Sequence, residues 1–384
     1  MAKNPVLLGL CQFLLMVSAS VGLSYNGLVG ESLAASPAFA TLPFLTMSAT
    51  TALLVLILPA IFARLGYQWT FALGAVLGML SSLLAAAAIG LHSFILFCAA
   101  GILLGCYQAS ALYYRFAAAD SVDGPHKSTA IAWVLNGGIL AAFLGPMLAS
   151  HSLHWFPLDY LGSYLAVAAL GLLAFPLMAC LRLPQRQAVS PPVTVPLASV
   201  LQAPGALTAI LFCAGSYALM MLVMLASPLA MHGCGFAAQD AASVIQWHLL
   251  GMFVPSLLTG KLIARYGAAV IAYIGCAILI LGCCTAVSGI SLMHFHWALM
   301  LVGVGWNFMY IGGSTLITQA DISIRPRLQS INEFITFAVT SVTAGATGWM
   351  YHHLGWKPLL QLAVVLVLVL CAFVLVDQWR KKGA

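Results

Sequence analysis

The chain reads as an all-α membrane protein of twelve transmembrane helices in two six-helix halves, on three observations. The first is composition: 63% of residues are hydrophobic and 6% charged, with a mean hydropathy of +1.06. A soluble domain cannot cover its surface with so few charges. The second is that apolar runs long enough to cross a bilayer recur along the whole chain. The third is that the basic residues between them fall almost entirely on one side.

The runs cover residues 6–29, 39–63, 70–90, 93–117, 128–149, 160–181, 204–231, 240–263, 268–289, 297–318, 331–351 and 357–376. A crossing takes about 20 residues, so each run is long enough with some tilt. Lipid offers the backbone no hydrogen bonds, which predicts a helix in every run. The first run follows a single Lys3 without a small-residue cleavage site close behind it, and is read as a retained anchor.

With Lys3 placed in the cytoplasm, Arg64, Arg115, Lys127, Arg182, Arg186, Lys261, Arg265, Arg325, Arg327, Arg380, Lys381 and Lys382 fall on that same side. Lys357 alone falls opposite, a partition of 13 against 1. Positive charge collects on the cytoplasmic side of membrane proteins, so both termini are expected there. The net charge of +6 is then a topological signal and not a nucleic-acid footprint. Of ten cysteines, only Cys234 falls in an outer loop; the rest lie within spans, where a thiol acts as a small apolar residue.

The sequence repeats itself. Ala63-Arg64-Leu65-Gly66 follows span two and Ala264-Arg265-Tyr266-Gly267 follows span eight, while Ala119-Asp120 and Ala320-Asp321 follow spans four and ten. Both pairs are offset by 201 residues (265 − 64 and 321 − 120), which argues for duplication. The expected organisation is an N-terminal half over 1–181, a cytoplasmic linker over 182–203 and a C-terminal half over 204–384. Arg182, Arg186, Pro184, Pro191, Pro192 and Pro196 suit a linker better than a span.

Two halves, a central linker and an Arg-x-Gly turn after spans two and eight resemble the major facilitator superfamily over the full length. The family turn reads Gly-x-x-x-Asp-Arg-x-Gly. This chain keeps Gly260, Arg265 and Gly267 but has Ala264 at the acid; the first half keeps Arg64 and Gly66, with Ala63 at the acid and Pro59 at the leading glycine. The resemblance implies a gating role for Arg64, Gly66, Arg265, Gly267, Asp120 and Asp321. Gly137, Gly138, Gly145 and Pro146 in span five are similar to the glycine-rich element of the family's antiporters, with close helix packing as the plain alternative.

Two four-residue steps carry the metal expectation: Met220-x-x-x-Met224 in span seven and His248-x-x-x-Met252 in span eight. Each i, i+4 step puts both side chains on one helix face. Counted from the outer ends near Met231 and Asp240, Met224 and His248 lie 7 and 8 residues deep, and Met220 and Met252 lie 11 and 12. Thioethers and imidazole are soft donors that suit Cu(I). A lone methionine is more often flexible filler, and Met221 is taken as such. These motifs resemble the CcoA-like copper importers of bacterial inner membranes, which supply copper for cytochrome oxidase assembly. The resemblance implies copper as transported substrate, with copper donor or acceptor proteins as partners, in a monomer.

Eight of ten histidines fall at outer ends or loops. Met231, His232 and Cys234, together with His294 and His296, are expected to offer outer metal capture, against the plain alternative of polar interface residues. Glu333 near the cytoplasmic end of span eleven reads as a coupling group or as the partner of Arg115, Arg325 or Arg327. Trp306, Asn307, Tyr310, Tyr25 and Asn26 are candidates to line a cavity, or to hydrogen-bond between helices.

Copper import by alternating access is therefore the leading expectation, with no resident cofactor. A drug or metabolite proton antiporter and a copper-holding membrane assembly factor are the alternatives. An organic cation would call for an acid deep in the membrane, and none sits there. No nucleophile–base pair, carboxylate dyad or phosphate loop suggests an enzyme.

Overall fold

The computed structural model describes residues 3–123, 126–183, 196–321 and 323–382, and their regular elements are all helical. In chain order they are α1 (Lys3–Leu33), a short 3-10 turn (Pro37–Phe39), α2 (Leu42–Gly90), α3 (Phe94–Ala111), α4 (Tyr114–Asp120), α5 (Lys127–Ser152) and α6 (Leu161–Ala179). There follow α7 (Leu197–Gln202), α8 (Ala206–Gly233), α9 (Ala238–Phe253), α10 (Ser256–Tyr266), α11 (Ala268–Ser288), α12 (Leu292–Gln319), α13 (Arg325–Leu354) and α14 (Trp356–Lys382). Most of the expected linker, including Pro184, Arg186, Pro191 and Pro192, lies outside the described residues.

Ten helical stretches among the described residues are long and apolar enough to cross a membrane. Two features reconcile that number with twelve runs. The stretch Pro37–Gly90 carries spans two and three, joined through Gly66 at φ 73°, ψ 171°. Span eleven is α13, which carries Arg325, Arg327 and Glu333 and falls short on apolarity alone.

The contacts divide the chain into two units, Met1–Val189 with Gly235–Gln246 and Ser190–Cys234 with Trp247–Ala384. In the first, α2 packs against α3 and α6, and α1 against α5. The span-five glycines serve that packing: a methyl at Gly137 would run into the Gly9 carbonyl, and one at Gly145 into Ser20. Small residues let the two backbones approach, as expected where lipid supplies no hydrophobic drive. Thr51 donates to Gly105 O at 3.1 Å and Ser81 to Ala100 O at 2.7 Å, pinning α2 to α3.

In the second unit α8 packs against α12, α13 and α14, and α11 against α12 and α14. Span eight is broken between α9 and α10, just before Pro255 at the α10 N-cap. Asn307 of α12 holds the break. Its Nδ2 donates to Met252 O and to Ser256 Oγ, both at 2.7 Å, and its Oδ1 accepts from Thr259 Oγ1 at 2.7 Å. Backbone freed by a broken membrane helix must find partners within the protein, and Asn307 supplies them.

The duplicated turn has the same backbone in both units. Gly66 and Gly267 take φ 73°, ψ 171° and φ 91°, ψ 151°. Only glycine reaches that region without strain.

Candidate functional site

The buried face of α13 is polar and its exposed face apolar, the reverse of a helix in water. Asn332, Thr336, Thr340, Ser341 and Thr347 are buried, while Val342 and Trp349 are 70% and 53% exposed. Polar groups inside a membrane bundle face the interior and each needs a partner. Most bond back onto the preceding turn: Thr340 Oγ1 to Thr336 O at 2.6 Å, Ser341 Oγ to Phe337 O at 2.6 Å and Thr347 Oγ1 to Thr343 O at 2.7 Å. Asn332 Oδ1 and Thr336 Oγ1 are buried without a hydrogen-bond partner.

Beside this stripe stands an aromatic cluster drawn from three helices. Trp306 and Tyr310, one turn apart on α12, lie nearly parallel at 10° with centroids 5.2 Å apart. Tyr217 of α8 meets both edge-on, at 5.2 Å and angles of 85° and 84°. Phe337 of α13 lies 6.4 Å from Tyr217. Offset and edge-to-face contacts are the favoured geometries for ring quadrupoles. The indole Nε1 of Trp306 is also buried without a partner. Cys213 borders the cluster: its Sγ lies 3.8 Å from Tyr310 O and from Ser314 Oγ.

Trp306 and Tyr310 thus belong to this cluster. Asn307 does not, being occupied at the α9–α10 break, and Asn26 accepts from Tyr164 Oη at 2.5 Å. Tyr25 packs edge-on against Tyr160 at 5.0 Å. Tyr217, Phe337, Asn332 and Thr336 carried no functional expectation. The sequence signal for the α13 pair was a polar i, i+4 step from Asn332 to Thr336, with Glu333 between them.

The four residues of the metal expectation are all buried in the second unit: His248 fully, Met220 and Met224 at 1% exposure and Met252 at 8%. His248 Nδ1 lies 2.7 Å from Leu299 O on α12. A carbonyl can only accept, so Nδ1 carries the proton and Nε2 holds the lone pair; Nε2 has no hydrogen-bond partner. Among the described residues no three His, Cys, Asp or Glu side chains gather as an ion site. Of the outer residues, His294 Nδ1 meets Ser291 Oγ at 2.6 Å and His296 Nδ1 meets Leu292 O at 3.0 Å, each within its own first turn. Met231 is buried at the end of α8, and Cys234 is its exposed C-cap, with His232 in the last turn.

The gating residues divide. Arg64 and Arg265 are exposed, and the Arg265 guanidinium lies 5.2 Å from the centre of the Tyr266 ring. Asp120 accepts from Tyr67, whereas Asp321 accepts from Ser323 N at 2.8 Å and Ser323 Oγ at 2.7 Å. Those two bonds hold the exposed Asp321 carboxyl below its usual value. Arg115 lies over the Phe116 ring at 4.9 Å, and Glu333 is half-buried within electrostatic reach of Cys213.

The family model described as Major Facilitator Superfamily matches residues 8–321. The chain is 36% identical to the riboflavin transporter RfnT of Brucella anthropi, covering 100% of this chain and 97% of that protein. It is 25% identical to YddS of Bacillus subtilis, described as an uncharacterized transporter of the same type, covering 85% and 78%. Among solved structures, a bacterial homologue of the human lysosomal transporter Spinster, inward-facing and unoccupied, aligns with a TM-score of 0.72 at 14% identity, covering 98% and 96%. The nucleoside transporter NupG aligns with a TM-score of 0.75 at 16% identity, covering 97% and 99%. At those identities the structures speak for the fold alone.

Copper import, and with it the kinship to CcoA-like importers and to cytochrome oxidase assembly, is overturned by the end-to-end likeness to a riboflavin transporter. The physical reason lies in what spacing reports. An i, i+4 step shows that two side chains share a helix face and says nothing of what that face meets. The metabolite-transporter alternative fits the likeness better.

Proposed function

Because the chain belongs to the major facilitator superfamily as a multi-pass membrane transporter, we propose that it carries riboflavin, or a close flavin relative, across the bilayer by alternating access. The observation that carries this reading is the 36% identity to a riboflavin transporter across the whole of this chain. Two features of the chain itself agree with it. A flavin is a flat, uncharged heteroaromatic, and the Tyr217, Trp306 and Tyr310 rings offer the stacked and edge-on surfaces such a ring takes up. A neutral substrate also needs no counter-charge, and no acid stands at the middle of any span. Its place would be a bacterial cytoplasmic membrane with both termini inside, a reading supported by the 13-to-1 partition of basic residues.

The test is growth of a bacterial strain that cannot make riboflavin and lacks its own uptake route. Expression of this chain should restore growth on low external riboflavin and fill the cells with labelled flavin. Full membrane expression without either effect would rule the reading out.

A further inference from the structure

We infer that Trp306 and Tyr310 on α12, Tyr217 on α8 and Asn332 and Thr336 on α13 form one subsite, which binds a flat heteroaromatic ring and reads its hydrogen-bonding edge. The inference deepens the flavin reading and rests on it for the choice of probe.

The rings set the shape. Trp306 and Tyr310 form a nearly parallel pair, with Tyr217 standing at right angles to both. Tyr217 and Tyr310 remain partly exposed, so the corner they make is not sealed. Aromatic side chains gathered only for packing would have their polar tips hydrogen-bonded. Here Trp306 Nε1 has no partner, although the residue is only 5% exposed.

The unpartnered atoms set the chemistry. Three buried polar atoms of these residues lack partners: Trp306 Nε1, Asn332 Oδ1 and Thr336 Oγ1, the latter two in side chains 2% exposed. Buried polar atoms are rarely left so, and each exception calls for a reason. An indole N–H only donates, an amide oxygen only accepts and a hydroxyl does both. A ligand edge that alternates carbonyl, N–H and carbonyl answers all three. The pyrimidinedione edge of a flavin is such an edge; an aliphatic or purely hydrocarbon ligand is not. Asn332 and Thr336 stand one turn apart on α13, so their unpartnered oxygens lie on one helix face. Phe337, in contact with Tyr217, follows Thr336 directly and links stripe to rings.

The test uses the purified full-length protein in nanodiscs, with riboflavin, its N3-methyl analogue, lumichrome (the tricyclic ring without the sugar chain) and lumazine (a bicyclic pyrimidinedione) as probes. Wild type should prefer riboflavin to the N3-methyl analogue, and should bind lumichrome. Thr336→Val, of nearly unchanged shape, and Asn332→Leu should each weaken riboflavin by about three- to tenfold, the span of one lost hydrogen bond. Both should also bring the preference over the N3-methyl analogue towards unity. Thr336→Ser should restore it, a rescue that misfolding would not permit. Trp306→Phe should weaken riboflavin and lumichrome alike. Riboflavin binding with wild-type preference in Thr336→Val, Asn332→Leu and Trp306→Phe would overturn the subsite and leave the flavin reading standing. Lumazine binding that depends on Thr336, without riboflavin binding, would do the reverse. Binding of none of the four probes by wild type would overturn both.

Discussion

Tyr67 donates its phenol to the Asp120 carboxylate at 3.1 Å, tying the start of span three to the end of span four. The phenol ring sits in a cluster with Phe62 and Phe71, at 5.0 and 5.5 Å. The family turn usually carries an acid beside its arginine, and this chain has Ala63 there. A tyrosine–aspartate bond within the first unit thus anchors Asp120 where that acid is missing. The matching Asp321 behaves differently, turning back on Ser323. The repeat kept the residue and changed its partner.

Tyr67→Phe should lower stability by about 1 kcal/mol, near the low end for a bond to a charged group because Asp120 is exposed. Asp120→Asn keeps an acceptor and should cost less. In thermal unfolding of the purified protein, Tyr67→Phe/Asp120→Ala should be no worse than the more damaging single variant. Full additivity would show that the bond is not energetically coupled.

Gly66→Ala and Gly267→Ala should each cost about 1–3 kcal/mol through backbone strain. Nothing lies within 4 Å of a methyl built at either position, so the cost cannot come from a clash. Gly260→Ala, in a helix and likewise open, should be neutral or slightly stabilising. Equal melting temperatures for all three variants would contradict the strain assignment.

Asn307→Leu should cost about 3 kcal/mol, since it strips partners from Met252 O and Ser256 Oγ together, while Thr259 Oγ1 falls back on Pro255 O at 2.8 Å. Hydrogen exchange should rise first around the α9–α10 break. Unchanged protection there would mean that another group holds the break.

Asp321 provides a pH test. Its folded carboxyl titrates below the ordinary value, so its contribution is present above the unfolded value of about 3.9 and fades as pH falls through the folded one. The Ser323 amide, which donates to Asp321, should lose exchange protection over that acid range. Asp321→Asn should keep the bond and flatten the pH dependence.

Much of the fold was readable in the sequence because lipid leaves the backbone little choice. Run length located the spans, and the 201-residue repeat marked Gly66 and Gly267, whose backbones match. The α9–α10 break was not legible, since Pro255 alone does not reveal that Asn307 waits on another helix to hold it. The aromatic cluster was hidden for a related reason. Tyr217, Trp306 and Phe337 are far apart in sequence and meet only through packing of α8, α12 and α13. Met220, Met224, His248 and Met252 showed the opposite hazard. Depth counted in residues does not report what a side chain meets, and His248 Nδ1 meets Leu299 O of α12.

The reversed polarity of α13 also bears on how the chain enters the bilayer. With Arg325, Arg327 and Glu333 near its start and threonines along its buried face, α13 gains too little from lipid to leave the translocon alone. The strongly apolar α14 follows after the single residue Gly355, at φ 80°, ψ 178°, and packs against it. The two helices are therefore expected to insert as a hairpin, the second drawing in the first. A chain truncated after Leu354 should leave α13 on the synthesis side, readable by a glycosylation tag, and fusing an unrelated apolar helix in place of α14 should restore its crossing.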